Sequence, residues 1–360
     1  LNPTVDAADT YTITVTNTSN GCTSTDVVTV NQSLGLPTAS AGTASQIDCI
    51  NTTASLDGTA SSTGVSITYS WTTPDGNIVS GGLTNSAVAD AAGTYTITVT
   101  DGSNGCSDTD AITITQDGTI PTAVAGLQQT VDCNNPSISL NGAGSSSGVD
   151  ITYNWTTPDG SIVANQTTLT PVVDAGGTYT LTVTDNSNGC VNSDNVLINE
   201  DLNNPVADAG LTAEVSCMVP LLTLNGGGSS SGVNITYQWT TADGNISANS
   251  TTITPTVDQG GTYDLLVRDV NNGCTATSSV LITENLTAPT VDAGPDQVIN
   301  CDFPLAILDG TASSVSPTIT YQWSTSDGLL LGAGTTDTEI GILAGTYTLT
   351  LFDASNGCSD

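Results

Sequence analysis

The stretch GTYTITVTDGSNGC, residues 93–106, decides the fold of this protein. Tyr95, Ile97 and Val99 alternate with threonines, and the turn-forming run Asp-Gly-Ser-Asn-Gly follows before a cysteine. Because successive side chains of a strand point to opposite faces, this period of two predicts a half-buried antiparallel strand that ends in a tight turn. Similar alternating segments flank it, and no segment has the 3.6-residue period of a helix. The sequence therefore predicts an all-β protein.

Variants of this stretch recur along the chain with a period of 84 residues. The tryptophans, tyrosines and cysteines all fall on this period, without insertion or deletion. The tryptophans are Trp71, Trp155, Trp239 and Trp323, and the two cysteine series are Cys22, Cys106, Cys190, Cys274, Cys358 and Cys49, Cys133, Cys217, Cys301. Self-similarity at a fixed period is typical of tandem repeats. Since loops between independent domains tolerate changes in length, the constant spacing indicates that the junction between repeats is itself constrained.

Each repeat contains about seven short predicted strands and one tryptophan on a central strand, which is typical of an immunoglobulin-like β-sandwich. We predict tandem sandwiches that form an elongated rod, in which each repeat adds ~40 Å. The predicted complete repeats are residues 38–121, 122–205 and 206–289. Residues 1–37 are expected to be the last three strands of a repeat, and residues 290–360 a repeat that lacks its last strand.

The stretch from Gly93 to Val99, with the Asn-Gly-Cys that ends at Cys106, resembles the polycystic-kidney-disease-type (PKD-like) repeat. The resemblance covers every repeat and is to the tandem repeats of very large secreted bacterial surface adhesins and gliding-type filaments. That family often carries Trp-Asp-Phe-Gly-Asp-Gly, of which residues 71–76 keep the tryptophan and the final Asp-Gly. The resemblance implies an immunoglobulin-like fold at an extracellular cell surface, and it implies no particular activity.

The charge of the chain excludes several classes of function. It has 35 acidic residues, one basic residue (Arg268) and no histidine, for a net charge of −34. A nucleic-acid partner or an anionic membrane surface would require a basic patch, so we expect neither, and we expect no membrane insertion. Without histidine or lysine, most general-base and nucleophile-activating arrangements are also missing, so we predict that the protein is not an enzyme and has no cofactor other than a possible calcium ion.

The cysteines predict disulfide bonds and an oxidising compartment, because no histidine is present to complete a zinc site. One hypothesis pairs Cys49 with Cys106 inside a repeat. A second pairs cysteines across the junctions: Cys49 with Cys190, Cys133 with Cys274, and Cys217 with Cys358. The strand assignment favours the second, because Cys49 and Cys106 fall at opposite ends of a sandwich, ~23 Å apart along a seven-residue strand, whereas bonded cysteines have Cα atoms within ~7 Å. Bonds between chains and free buried thiols remain alternatives.

Acidic residues recur next to the turn that precedes Cys106 and its equivalents. A calcium ion takes six to eight oxygen ligands, and carboxylates between domains can supply them. The candidate calcium ligands are Asp101, Asp110, Asp185, Asp194, Asp269 and Asp353. Turn formation and the solubility of a long, self-repelling chain are simpler explanations of the same acidity.

Three functions fit these observations. The first is a stalk or filament region of a large extracellular adhesin or surface fibre, which acts through reach and mechanical stability. Its partners would be the neighbouring repeats and an unidentified surface receptor. The second is a sugar- or protein-binding module, which would need exposed aromatic side chains that the pattern does not show. The third is lateral assembly of several copies into a homo-oligomeric hook or fibre.

Overall fold

The computed structural model describes residues 2–360, and it confirms the all-β fold of tandem sandwiches. The described residues form 28 strands and no helix. Consequently, none of residues 2–360 belongs to a helix of the length and apolarity needed to cross a membrane. The chain divides into two compact units: residues up to Gln129 with Ser139–Ile198, and Thr130–Ile138 with Asn199–Asp360.

The first strands form a hairpin. β1 (Asp9–Thr16) and β2 (Thr23–Val30) pair antiparallel from Asp9 with Val30 to Thr16 with Thr23. We predicted three strands in residues 1–37, and within residues 2–37 the structure has two. The expected third strand would correspond to Ser86–Ala89, which pairs only with strands of the second sheet of its own repeat. Those partner strands have no equivalent in residues 2–37, so the backbone there has nothing to pair with.

The first complete repeat shows how a sandwich is built. Its strands are β3 (Gln46–Asp48), β4 (Ala54–Asp57), β5 (Ile67–Thr72), β6 (Ile78–Ser80), β7 (Ser86–Ala89), β8 (Gly93–Asp101) and β9 (Cys106–Asp117). One sheet has the order β3-β9-β8-β5 and the other the order β4-β7-β6. β3 is parallel to β9, and the other pairs are antiparallel. The first and last strands of a repeat therefore run in the same direction.

The next two repeats have the same strands and the same two sheets. The second has β10 (Gln129–Asp132), β11 (Ile138–Ser139), β12 (Ile151–Thr156), β13 (Ile162–Ala164), β14 (Val172–Val173), β15 (Gly177–Asp185) and β16 (Val191–Asp201). The third has β17 (Ala213–Ser216), β18 (Leu222–Thr223), β19 (Ile235–Thr241), β20 (Ile246–Ala248), β21 (Thr256–Val257), β22 (Gly261–Asp269) and β23 (Thr275–Asn285).

The fourth repeat has five strands: β24 (Ala306–Asp309), β25 (Ile319–Thr325), β26 (Leu329–Leu330), β27 (Thr338–Leu343) and β28 (Tyr347–Asp353). They form the sheets β24-β27-β26 and β25-β28. Residues 298–300, which correspond to the first strand of the other repeats, are not in a strand. In the third repeat this strand pairs with the last strand, and within residues 290–360 no strand takes the place of that last strand.

The core of each repeat is centred on its tryptophan, which lies between the two sheets. In the first complete repeat, Trp71 packs with Leu56, Ile97 and Val99. The indole Nε1 donates to a backbone carbonyl of the loop between β6 and β7, at 3.2 Å to Thr84 O. In the next repeat, Trp155 Nε1 donates to Thr168 O of the equivalent loop at 2.9 Å. The alternating residues that predicted the strands, Tyr95 included, are fully buried. The packing of apolar faces therefore explains the period of two.

A tyrosine fixes the corner before the sixth strand. Tyr95 Oη donates to Ala91 O at 2.6 Å and accepts the amide of Asn77 at 2.9 Å. This tyrosine corner is a feature of immunoglobulin-like sandwiches. It recurs at Tyr179, Tyr263 and Tyr347, and Tyr11 Oη donates in the same way to Ala7 O.

Candidate functional site

The sequence elements that recur without change meet where one repeat joins the next. We call the end of a repeat that carries the loop after its first strand the trailing end, and the end that carries the Asn-Gly-Cys turn the leading end. Cys49 follows β3 at a trailing end, and Cys190 precedes β16 at a leading end. Because the first and last strands of a repeat are parallel, the loop after the first strand and the turn before the last strand lie at opposite ends of the repeat. Cys49 and Cys190 can therefore meet only across the junction between two repeats.

Three disulfides join consecutive repeats. Cys49 is bonded to Cys190 (junction 1), Cys133 to Cys274 (junction 2) and Cys217 to Cys358 (junction 3), each with a Cα–Cα distance of 5.0 Å. The structure thus pairs these six cysteines as the cross-junction hypothesis has them, and it does not pair Cys49 with Cys106. The remaining thiols are free: Cys22 and Cys301 are exposed, and Cys106 is half-buried.

The three disulfide loops overlap along the chain. Each spans 141 residues, which is longer than one 84-residue repeat. Cys133 therefore lies inside the loop closed by Cys49 and Cys190, and Cys217 lies inside the loop closed by Cys133 and Cys274. Together the loops cover residues 49–358 without a gap.

Beside each disulfide, the asparagine of the Asn-Gly-Cys turn clamps the two repeats together. At junction 1, Asn188 Nδ2 donates to Asp117 Oδ1 at 3.1 Å and to Thr119 O at 3.0 Å. Its Oδ1 accepts the amide of Cys190 at 2.9 Å, and its carbonyl accepts the amide of Cys49 at 3.0 Å. The equivalent clamps are Asn272, which donates to Asp201 and Asn203 O, and Asn356, which donates to Asn285 and Thr287 O.

All three clamp asparagines are buried, with 1–3% of their surface exposed. A buried amide is stabilising only when its donors and acceptors are satisfied. Here the side-chain nitrogen donates hydrogen bonds to the preceding repeat, and the side-chain oxygen accepts one from its own turn. The clamp therefore stabilises the junction only while both repeats are folded and aligned.

The glycine of the same turn allows the two repeats to approach closely. Gly189 has a φ of 69°, and a Cβ at this position would clash with the side chain of Ile50. Gly273 and Gly357 have φ values of 77° and 76°, and there a Cβ would clash with Asn134 and Met218. Gly105 has nearly the same φ, 73°, but a Cβ there would meet nothing within 4 Å.

This difference gives a matched pair of substitutions. We expect Gly105→Ala to cost ~1 kcal/mol of unfolding free energy, because it adds only the penalty of a left-handed backbone. Gly189→Ala carries the same penalty and also pushes Ile50 away, so we expect a total of ~2–4 kcal/mol. Urea unfolding of the two variants measures the difference. Equal losses would show that the approach at junction 1 is not tight.

At junctions 1 and 2 a carboxylate accepts the hydrogen bond from the clamp asparagine, and at junction 3 a side-chain amide oxygen accepts it. The amide and hydroxyl of Thr119, followed by the amide of Asn188, lower the pKa of Asp117 below its usual value. At junction 2 the amide of Asn272, followed by that of Asn203, lowers the pKa of Asp201. Asn285 takes the same place at junction 3 and does not titrate. These hydrogen bonds favour the ionised acceptor.

Acid should therefore weaken junctions 1 and 2 and leave the clamp of junction 3 intact. Since the folded pKa values of Asp117 and Asp201 lie below 3.8, their stabilisation is fully present above about pH 4 and is lost as the pH falls through the folded pKa. We expect Asp117→Asn, which copies junction 3, to reduce the fall of Tm between pH 5 and pH 2.5. Asp6→Asn removes an equal charge at an exposed position outside the strands and serves as the control. Identical pH profiles for the two variants would contradict the prediction.

The predicted calcium ligands are engaged in hydrogen bonds within their own repeats. Asp101 and Asp353 each accept the amide and hydroxyl of the serine two positions later, which lowers the pKa of both. Asp185 and Asp269 accept backbone amides in the same turn. Asp110 and Asp194 accept the amides of Ala41 and Ala125, which lie in the first segment of the repeat, at 2.8 Å.

The structure does not bring these six residues together. Across residues 2–360, no three or more histidine, cysteine, aspartate or glutamate side chains are placed so that they could hold a metal ion. At the position of Asp110, the third repeat has Ser278, whose hydroxyl accepts the amide of Ala209 at 3.1 Å. A neutral oxygen therefore suffices for this hydrogen bond. Calcium binding stays a prediction, and a melting curve that does not respond to chelator and added calcium would contradict it.

The clamp was not predicted from the sequence. The asparagine before Gly-Cys was interpreted only as part of a turn, and no role was predicted for Asp117, Asp201 and Asn285. Their signal is present in the sequence, because the asparagine before Gly-Cys occurs in all five copies of the turn. What the sequence could not show is that its side chain points out of its own repeat and into the preceding one.

No family model matches the chain. The dyslexia-associated protein KIAA0319-like protein of Mus musculus is 30% identical over 257 residues, which is 64% of this chain and 24% of that protein. The chain thus spans about a quarter of the length of this relative.

Two solved structures illustrate the structural likenesses. The I-band fragment I67-I69 from titin is 12% identical, with a TM-score of 0.35, and the match covers 70% of this chain and all of that one. The protocadherin gammaB4 extracellular domain is 13% identical, with a TM-score of 0.31, and the match covers 99% of this chain and 76% of that one. The fold described above rests on the sheets of this chain.

Proposed function

We propose that this chain is a structural region, a stalk or filament, of a large extracellular adhesin or surface fibre. The observation that carries the proposal is the junction. Each of junctions 1, 2 and 3 has a disulfide, a buried asparagine clamp and a close-fitting glycine. A chain of flexibly linked binding modules would need none of these features, whereas a load-bearing chain would benefit from all of them.

The proposed location is extracellular, at a cell surface. Disulfides persist in oxidising compartments, and three of them close these loops. A net charge of −34 keeps a long chain soluble and self-repelling. The resemblance of the repeats to those of giant bacterial adhesins is consistent with this location, and a bacterial surface is part of the proposal. The proposed partners are the neighbouring repeats and a receptor held by some other part of the molecule, and no enzymatic role is proposed.

The overlapping disulfides make the proposal measurable under force. In the oxidised chain the shortest covalent path between the ends runs along residues 1–49, 190–217 and 358–360 and crosses two disulfides. This path is about 80 residues long, so it extends to at most ~290 Å. The reduced chain of 360 residues can extend to ~1,300 Å.

Single-molecule pulling from the two termini tests this difference. We expect the oxidised protein to stop extending at ~290 Å, because the disulfides prevent a greater length even when every repeat is unfolded. The reduced protein should lengthen in steps to ~1,300 Å. If the oxidised protein extends beyond ~600 Å, the disulfides do not bear the load, and the mechanical function fails.

A further inference from the structure

The contact over the glycine of the Asn-Gly-Cys turn differs at each of the three junctions. The side chain that follows the trailing cysteine covers the glycine of the next repeat: Ile50 covers Gly189, Asn134 covers Gly273, and Met218 covers Gly357. These three side chains are an aliphatic group, an amide and a thioether. The disulfide, the clamp asparagine and the glycine beside them do not vary.

At junction 2 the variable side chain has a specific partner. Arg268 Nη2 donates to Asn134 Oδ1 at 3.0 Å. Arg268 lies on β22, the strand that leads into the turn of Cys274, and it is the one basic residue among 360. The same position in the neighbouring repeats is Thr184 on β15 and Phe352 on β28. The residues at these two positions are therefore Ile50 and Thr184 at junction 1, Asn134 and Arg268 at junction 2, and Met218 and Phe352 at junction 3.

We propose that this pair of positions is an address, which determines which trailing end a leading end accepts, and that Asn134 and Arg268 are the specificity-determining residues of junction 2. The need for an address arises from the repeats themselves. Nine cysteines compete for partners during oxidation, and the constant part of the junction is the same wherever two ends meet. A leading end could therefore bond to the trailing end of the wrong repeat or of another copy.

The two positions discriminate between ends through the hydrogen bond that is lost when the wrong ends meet. Opposite Ile50 or Met218, the guanidinium of Arg268 would lose its acceptor, and Asn134 opposite Thr184 or Phe352 would lose its donor. Both side chains are exposed, so water satisfies an unmatched group, and the discrimination is the net value of one hydrogen bond. Thiol–disulfide exchange passes through mixed disulfides, so a small preference between docked ends is expressed in the final pairing. One hydrogen bond of this kind corresponds to a preference of about fivefold.

Oxidative refolding of the full chain tests the proposal. The reduced protein is refolded in a glutathione buffer, the remaining thiols are blocked, and the linked peptides are quantified after digestion with pepsin. Pepsin is suitable because the chain has a single tryptic site and because low pH suppresses exchange. The variants are Arg268→Phe, Asn134→Met and the double variant, which copies the residues of junction 3.

Each single variant should raise the fraction of Cys133 and Cys274 in non-native links about fivefold. The double variant gives junctions 2 and 3 the same residues at both positions, so links of Cys133 with Cys358 and of Cys217 with Cys274 should rise about fivefold above the wild type. The Cys49–Cys190 link should form as in the wild type, which reports that the variants fold. The proposal is overturned if the single variants match the wild type, or if the double variant shows no increase in links between junctions 2 and 3.

A second pair of variants covers the case in which Arg268→Phe does not fold. Arg268→Gln keeps a hydrogen-bond donor, and Arg268→Thr copies Thr184 and lacks the reach. We expect mispairing only in Arg268→Thr. Equal mispairing in these two variants would show that the contact with Asn134 does not select the partner.

Discussion

Replacing both Cys133 and Cys274 with serine should lower the free energy of unfolding by about 5 kcal/mol. The bond closes a loop of 141 residues, and the chain-entropy estimate for a loop of this length gives about that value. The loop is not shortened by the other two disulfides, because neither offers a shorter path between these cysteines. The loss should appear in urea unfolding that is followed by circular dichroism and tryptophan fluorescence.

The control for this experiment is the replacement of two cysteines that form no bond. Cys22→Ser with Cys301→Ser removes two exposed thiols, and we expect a change within about 0.5 kcal/mol. A loss below about 1 kcal/mol in the Cys133 and Cys274 variant would contradict the stabilising role of this disulfide. We also expect the transition to become broader or biphasic, since removal of the link lets the flanking repeats unfold separately.

Replacing Trp155 with alanine should cost ~3–5 kcal/mol, the usual range for a fully buried aromatic side chain. Trp155 has no exposed surface, and its Nε1 donates to Thr168 O at 2.9 Å. The substitution removes the centre of the core and also leaves the carbonyl of Thr168 without this donor. Limited proteolysis should then cut the second repeat first, because it is the repeat that has lost its core.

Trp155→Phe separates the two contributions to this loss. It keeps an aromatic ring in the core and removes the indole donor, so we expect a loss between ~1 and 3 kcal/mol. Val233→Ala is a substitution at an almost fully exposed position of the neighbouring repeat and should leave protection of the second core unchanged. Equal stability of Trp155→Ala and the wild type would show that the second sandwich is not built on its tryptophan.

Much of the fold could be predicted because it follows from local rules. The alternation in residues 93–99 gave the sixth strand, and the Asp-Gly and Asn-Gly turns marked its end. The fixed period of Trp71 and its equivalents gave the repeats. The common direction of the first and last strands followed from the count of strands, and it is seen in the parallel pairing of β3 with β9.

The shortest strands could not be predicted from the sequence. β11, β14, β18 and β21 have two residues each, too few for any periodicity. They are defined by their neighbours in the sheet and not by their own sequence. Polar contacts between distant segments were equally hidden. Asp75 precedes a glycine in the loop between β5 and β6, and its Oδ1 accepts the amide of Thr94 on β8 at 2.8 Å.

The junction illustrates both the success and the limit of the sequence. Which cysteines lie at opposite ends of a repeat follows from strand direction alone. The role of Asn188 does not, because its partners Asp117 and Thr119 belong to the preceding repeat. The candidate calcium residues were chosen for proximity along the chain, and the folded repeats use those carboxylates to hold turns and first segments instead.

Peptide mapping of the native protein without reduction tests the central claim most directly. The claim is that disulfides join each repeat to the next one. It predicts that Cys49 is recovered linked to Cys190, Cys133 to Cys274, and Cys217 to Cys358. Recovery of Cys49 linked to Cys106, or of these six cysteines as free thiols, would contradict it.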